Sequence, residues 1–190
     1  MERSLVSGAK EQAEPVARSL EQAGLAVSVA TTPDEVSSVT ATLEPESLTC
    51  YVQLPFPAPT AGVSPVRLLA GFLGAAVVDR CEAAALVVPF LRADATVVLV
   101  AREDAPHGIP DDVGARLDLL RVLSRALAAS CPSGEVKSVV AGADHSPEEI
   151  ATLAAARGED RQWLHSRVTA LPAELSFSDW RSEVMGLTGQ

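Results

Sequence analysis

The residues best suited to chemistry form a charged cluster directly after an apolar run. Residues 96–101 read TVVLVA, a continuous run typical of a central parallel strand. Arg102, Glu103 and Asp104 follow, and His107 lies in the same connection. Because ligands of parallel α/β sheets bind at the carboxyl ends of strands, this cluster is a candidate for acid–base chemistry or small-molecule binding. A solvated loop is the alternative interpretation.

The histidines and cysteines do not have the spacing of a metal site or of a disulfide framework. No HxxxH or CxxC pattern occurs in the sequence. The cysteines are odd in number, far apart and set in apolar stretches, so we expect reduced thiols in the core. The residues concerned are His107, His145, His165, Cys50, Cys81 and Cys131. The sequence therefore predicts no metal and a reducing, cytoplasmic location.

A second group of charges interrupts a segment that is otherwise apolar. Residues 66–91 predict a long helix that is apolar nearly all round, relieved by Arg67, Asp79, Arg80 and Glu82. A helix without a wide polar face must be covered on two sides, by the sheet and by something else. The charges at 79, 80 and 82 are consistent with an ion-paired cluster at an interface, or with ion pairs inside the helix.

The overall charge and hydropathy exclude several partners. The chain has a formal net charge of −10 and a pI near 4.7. Nucleic acid and anionic lipid require clustered cations, and the sequence contains no such cluster. The longest apolar run, residues 68–78, is shorter than the ~18–20 residues that span a bilayer, and the N-terminus MERSLVSG lacks an apolar signal segment. We therefore expect neither export nor membrane insertion. Separately, the abundance of Ala and Val is typical of high-GC bacterial genomes.

Alternating strands and helices predict how these residues are positioned. Apolar and β-branched runs indicate strands at residues 4–8, 25–30, 48–54, 96–101 and 136–140. Helices are predicted at residues 11–24, at 66–91, from Asp111 or Asp112 to 130, and directly after Thr32 and Ser146. The sequence thus predicts an α/β protein with a three-layer Rossmann-like fold and a central, mostly parallel sheet of about six strands.

We expect one domain with an appended segment. The strand and helix units account for residues 1–156, and a hydrophobic content of 47% is enough for one core of that size. Residues 157–190 mix Trp163, Phe177 and Trp180 with polar residues, which predicts a C-terminal helical extension packed on the same domain.

In this order and spacing the elements resemble the short-chain dehydrogenase/reductase family over roughly residues 4–156. Three tracts carry the resemblance: RVLSRALAASCPSGEVKSVVAG, LVSGAKEQAEPVARSLEQAGLAVSV and AAALVVPFLRADATVVLVA. The resemblance implies a Rossmann fold, a nicotinamide cofactor and carbonyl reduction by a tyrosine and a lysine.

The positions that bind the cofactor in that family carry other residues here. The resemblance places Gly8 at the first glycine of the glycine-rich loop, and Gln12 and Glu14 at the other two. Residues 31–32, Thr-Thr, stand where an acidic or basic residue selects between the two nicotinamide cofactors. The family's Asn-Asn-Ala-Gly motif corresponds to residues 53–56, Gln-Leu-Pro-Phe. The comparison therefore implies a chain that binds neither NAD(H) nor NADP(H).

The catalytic positions differ as well. The resemblance places Val113 where the family has its tyrosine and Leu117 where it has its lysine, four residues later. The family's serine corresponds to Ala101 or Arg102, and its structural asparagine falls near Ala76. The resemblance thus leaves no catalytic residue in its expected place.

No tyrosine or lysine elsewhere restores the pair by a shift of register. The single tyrosine, Tyr51, lies in the predicted third strand, and the lysines are Lys10 and Lys137. Proton donation to a carbonyl needs a phenol whose pKa is lowered by a nearby cation, and the sequence predicts no such pair.

These departures leave two function classes. In the first, the chain is a non-catalytic subunit that pairs with and supports another protein, such as an intact ketoreductase or another acyl-chain or polyketide enzyme. The resemblance implies contact through the helices at 66–91 and 111–130, as a homodimer or a heteromer. In the second, it is an NAD(P)-dependent reductase or small-molecule binder with an altered site around Arg102, Glu103 and His107.

Overall fold

The computed structural model describes residues 2–57, 73–101, 112–131, 137–141 and 145–155. The strands in these ranges are β1 (Arg3–Ser7), β2 (Ala26–Ala30), β3 (Leu48–Gln53), β4 (Leu91–Val100) and β5 (Lys137–Ala141). The α-helices are α1 (Lys10–Gln22), α2 (Pro33–Thr40), α3 (Asp79–Val87), α4 (Asp112–Ser130) and α5 (Pro147–Ala155). A π-helical segment at Leu73–Val78 precedes α3, and a 3₁₀ turn at Val88–Phe90 follows it.

The strands form one parallel sheet in the order β2-β1-β3-β4-β5. The register pairs Val6 with Val52 and Val52 with Val98, so these side chains lie in one row on one face. The order of winding reverses between β1 and β3. In open α/β sheets, ligands bind at the carboxyl ends of the strands on either side of such a reversal.

Helices cover both faces of this sheet, which confirms the predicted three-layer Rossmann-like fold. On one face α1 and α5 enclose a core that includes Val16 and Ile150. On the other face α2, α3 and α4 enclose a core that includes Val87, Leu99 and Leu120. Strands that are buried on both faces are mostly apolar, which explains the apolar run at residues 97–100 in the fully buried part of β4.

Two helices begin at the capping residues predicted for them. Thr32 Oγ1 accepts a hydrogen bond from the Glu35 N–H at 3.2 Å, at the start of α2. At α5, Ser146 Oγ accepts from the Glu149 N–H at 3.2 Å, while the Ser146 N–H donates to the Glu149 carboxylate at 2.9 Å. This reciprocal pair is a capping box, so the local sequence alone specifies where α5 begins.

The predicted number of about six strands concerns the whole chain, whereas the structure describes only part of it. The described ranges contain five strands, and residues 31–47 connect β2 to β3 through α2 without a strand. The usual dinucleotide-binding order, 3-2-1-4-5-6, places another strand outside the second, whereas 2-1-3-4-5 is the flavodoxin-like order. The predicted extension at 157–190 lies outside the described residues.

The long predicted helix ends earlier than expected, and the following strand begins earlier. β4 begins at Leu91, not at Thr96, because Leu91 pairs with Leu48 before the register shifts. The regular α-helix ends at Val87, since Pro89 lacks the N–H that a continuing helix requires.

One burial prediction was wrong. Cys50 and Cys131 are buried as free thiols, as expected, but Cys81 is exposed on α3. The reason is that α3 directs the neighbouring Arg80 toward the sheet, so Cys81 faces away from it.

The close approach of two strand ends predicts a large effect of substituting Gly8. Its φ is +135°, and an added Cβ would lie 2.7 Å from Leu54 Cβ and 2.8 Å from the Leu54 carbonyl oxygen. We expect Gly8→Ala to lower the free energy of unfolding by about 3 kcal/mol or more, since steric overlap adds to backbone strain. Urea unfolding measures the change.

Gly24→Ala is the matched control. Gly24 has a φ of +88°, but no described atom lies within 4 Å of the position of its Cβ. In this variant the free energy of unfolding should therefore fall only because of backbone strain, by about 1–2 kcal/mol. Equal losses in the two variants would contradict a packing role for Gly8.

Candidate functional site

The carboxyl ends of β1 and β3 meet in a tight junction. The Leu54 N–H donates to the Ser7 carbonyl at 2.7 Å, and the Ala9 N–H donates to the Pro55 carbonyl at 2.8 Å. The Gly8 N–H donates to the last carbonyl of β2 at 3.0 Å. The segment after β1 is therefore bound to both neighbouring strands, at the point where the winding of the sheet reverses.

Helix α1 begins immediately after this junction. Gly8 and Ala9 alone separate β1 from Lys10, the first residue of α1. Gln12 lies inside the helix with its side chain buried. The Glu14 carboxylate is 3.6 Å from the Lys10 ammonium, one helical turn away. The positions assigned to the second and third loop glycines thus carry helical side chains.

Thr31 and Thr32, which the resemblance assigns to cofactor selection, directly precede α2 and stabilise its start. The Thr31 N–H and hydroxyl both donate to the Glu35 carboxylate, at 2.6 and 2.8 Å. Both hydrogen bonds favour the ionised carboxylate and therefore lower the pKa of Glu35, and the bond from the backbone N–H has the larger effect. Thr31 and Thr32 therefore have a local structural role in this chain.

A buried polar network lies at the carboxyl ends of β3 and β4. Its centre is Arg80 on α3, whose side chain is 3% exposed. The Arg80 Nε donates to Gln53 Oε1, Nη2 donates to the Gln53 carbonyl and Nη1 donates to the Val100 carbonyl, each at 3.0 Å. In return, Gln53 Nε2 donates to the Arg80 carbonyl at 2.9 Å. Arg80 thus joins α3 to the ends of two strands.

Tyr51 and Ser7 extend this network to β1. The Tyr51 hydroxyl is 2.9 Å from Ser7 Oγ and accepts from Gln53 Nε2 at 2.9 Å. The structure therefore places the chain's single tyrosine close to a cation, Arg80, which the sequence did not predict. Burial nevertheless raises the pKa of Tyr51 and outweighs both hydrogen bonds and the nearby guanidinium. A proton donor to a carbonyl needs the opposite shift.

Neutral acceptors surround the Arg80 cation. Within the described ranges, no carboxylate forms an ion pair with Arg80. Burial lowers the pKa of Arg80 to about 10, so the guanidinium stays protonated at neutral pH. A buried charge is costly unless it is hydrogen-bonded. Here three carbonyl oxygens accept hydrogen bonds from the guanidinium.

The charges of α3 do not form the ion pairs inside the helix that were one of the two arrangements expected from the sequence. Arg80 points into the protein, while Asp79 is half-buried and Glu82 is exposed. Among the described residues no ion pair joins them. Sequence reasoning missed the pairing of Arg80 with Gln53 because the two residues lie 27 positions apart. The available signals were one arginine in an apolar helix and one glutamine at the end of an apolar strand.

The other candidate residues are only partly covered by the structure. Arg102, Glu103 and His107 lie outside the described residues, as does His165. The backbone of α4 includes positions 113 and 117, and the π-helical segment includes position 76. No group of three or more His, Cys, Asp or Glu side chains in the described ranges could hold a metal ion. No helix in those ranges has the length and apolarity to cross a bilayer.

Exposed apolar side chains are concentrated on two neighbouring helices. Four large apolar residues are exposed in the described part of the chain: Val78 (50%), Leu86 (38%), Leu119 (38%) and Val122 (62%). Leu86 lies on α3, Val78 directly precedes it, and the other two lie on α4, which contacts α3. Leu119 and Val122 lie outside the buried stripe of α4, which includes Leu120 and Leu127.

Comparison by sequence identifies no relative. No family model matches the chain, and no curated protein matches it. The fold, in contrast, matches solved structures. The chain shares its fold with short-chain dehydrogenase/reductases.

Three of the matching structures come from different bacteria. A variant of a Serratia marcescens short-chain dehydrogenase/reductase has a TM-score of 0.58 and 14% identity, covering 81% of this chain and 87% of that one. A putative short-chain dehydrogenase/reductase from Corynebacterium glutamicum has a TM-score of 0.55 and 16% identity, with 82% and 93% covered. The protein lin1944 from Listeria innocua has a TM-score of 0.56 and 14% identity, with 75% and 78% covered. At these identities the likeness concerns the fold alone.

Tyr51 allows a spectroscopic test of the network because it is the single tyrosine. We expect its phenolate absorbance to appear only above the ordinary pKa of 10.0, together with loss of structure, because burial raises the pKa. Above 10.0 the unfolded chain has lost a proton that the folded chain retains, so stability falls as the pH rises through this window.

Absorbance and circular dichroism recorded in the same alkaline titration check this expectation. Tyr51→Phe is the control and should remove the phenolate signal. A phenolate that forms near 10.0 in a chain with native circular dichroism would contradict the buried network.

Proposed function

We propose that this chain is a non-catalytic relative of the short-chain dehydrogenase/reductases that pairs with and supports another protein. The partner contacts α3 and α4 and is a second copy of the chain or an intact ketoreductase or other acyl-chain or polyketide enzyme. The observation that carries the proposal is the concentration of exposed large apolar side chains on these two helices. Surface of this kind is typical of sites that bind another protein.

The carboxyl end of β1 does not fit the pyrophosphate of a dinucleotide. Such a group requires glycines that let the backbone approach it and free N–H groups at the start of a helix. Here the Ala9 N–H is bonded to the Pro55 carbonyl, Gln12 carries a buried side chain, and Glu14 adds a carboxylate. The one retained glycine, Gly8, packs against Leu54. These contacts support a chain without a nicotinamide cofactor, and we derive no hydride step.

The residues available for proton transfer also support a non-catalytic role. Tyr51 is fully buried, with a raised pKa, and Lys10 is exposed and close to Glu14. A phenol that a substrate cannot reach and that holds its proton more tightly than in water is a poor general acid.

The first prediction from this proposal concerns the cofactor. Isothermal titration of the purified chain with NAD(H) and NADP(H) should give no dissociation constant below about 100 μM, which corresponds to roughly −5.5 kcal/mol. The reason is the crowding and negative charge at the start of α1. Tighter binding of either cofactor would refute the non-catalytic interpretation. Cofactor-dependent reduction of ketones or ketoacyl thioesters would favour the alternative, a reductase with an altered site around Arg102, Glu103 and His107.

The second prediction concerns association. Light scattering of the unmodified chain, alone and after co-purification with any intact reductase encoded beside it, should show a dimer or heteromer. Leu119→Glu combined with Val122→Lys places charges at the proposed contact without changing the net charge, and should dissociate the complex.

Arg18→Glu is the control for this experiment, since Arg18 is exposed on α1, on the opposite face of the sheet. This variant should associate like the unmodified chain. A soluble monomer for the unmodified chain, with no partner recovered from its native host, would leave the proposed pairing without support.

A further inference from the structure

Three acceptor oxygens at the carboxyl ends of β3 and β4 form a site that we call the crevice. Gln53 Oε1, the Gln53 carbonyl and the Val100 carbonyl converge there, each 3.0 Å from a different nitrogen of one guanidinium. A guanidinium presents its N–H donors in one plane and in a fixed fork, whereas an ammonium is a compact point charge without such a plane. The arrangement of the three oxygens therefore matches a guanidinium and would repel an anion.

The receptor and the group that occupies it belong to different layers of the fold. The acceptors are on the sheet, while Arg80 is on α3. Because no carboxylate in the described ranges pairs with Arg80, the contact depends on shape and on carbonyl dipoles. If Arg80 were removed, three buried acceptors would lose their donors, which is costly in a site closed to water.

We propose that Arg80 is a tethered ligand of this crevice: its guanidinium fills the acceptor site at the carboxyl ends of β3 and β4, next to the reversal of winding between β1 and β3, and holds α3 against β3 and β4. The folded chain therefore has a closed crevice, and the crevice is selective for a guanidinium group. This inference concerns the interior of the fold and does not depend on pairing with another protein.

The test is rescue of an Arg80→Ala variant by free guanidinium ion. The variant leaves an empty crevice with three unpaired oxygens, so its Tm should fall by about 5 °C or more. Guanidinium chloride at millimolar concentrations should then raise the Tm of the variant in a saturable manner, as expected for a ligand that binds the folded state. The same additions should lower or leave unchanged the Tm of the unmodified chain.

Controls separate the receptor from general effects of the additive. Arg92→Ala is the matched variant, because Arg92 is an exposed arginine at the start of β4 that pairs with Asp94 at 3.0 Å. It should show no rescue. Urea, which is planar but uncharged, and tetramethylammonium chloride, which has no N–H donor, should not raise the Tm of Arg80→Ala.

Two results would overturn the proposal: an Arg80→Ala variant as stable as the unmodified chain, or a destabilised variant whose Tm guanidinium does not raise. If the variant does not fold, nuclear magnetic resonance of the unmodified chain decides. Both Nη nitrogens of Arg80 are hydrogen-bonded, so their protons should give separate, slowly exchanging signals, unlike those of Arg92. Averaged Arg80 signals would refute the tethered ligand.

Discussion

Parallel strands end in carbonyl groups that need hydrogen-bond donors when they are buried, and this requirement organises the carboxyl edge of the sheet. The Gln53 and Val100 carbonyls obtain their donors from Arg80, a side chain of α3. Gln53 reciprocates through its amide and also bonds the Tyr51 hydroxyl, which reaches Ser7 on β1. The guanidinium therefore connects a helix to β3 and β4, and Gln53 and Tyr51 extend the network to β1.

The buried Arg80 network and the exposed apolar surface lie on opposite sides of α3. Its inner side carries Arg80, which lies in the crevice of the sheet, and its outer side carries exposed Leu86. A fold does not determine a function, since function depends on the groups present at a site. Here, in a fold shared with short-chain dehydrogenase/reductases, Arg80 fills the space between α3 and the ends of β3 and β4, and large apolar side chains are exposed on α3 and α4. These observations are the basis on which we propose a contact protein rather than a catalyst.

Much of the fold could be predicted because the signals were local. The apolar β-branched runs predicted the strands, and the Thr32-Pro33 and Ser146-Pro147 pairs predicted where two helices begin. Such signals depend on periodicity and on hydrogen bonds within four residues, which the sequence displays directly. The early start of β4 was missed because Leu91 joins the sheet by pairing with Leu48, a contact over a long separation.

The sequence by itself determined the parallel α/β architecture and the starts of the two capped helices. Only the tertiary structure decided which side chains meet at the carboxyl ends of β3 and β4. Arg80, Gln53 and Tyr51 carry no motif, and their pairing depends on the way α3 crosses the ends of β3 and β4. The physical reason is that a buried charge is tolerated only where acceptors converge, and that convergence exists in the folded chain alone.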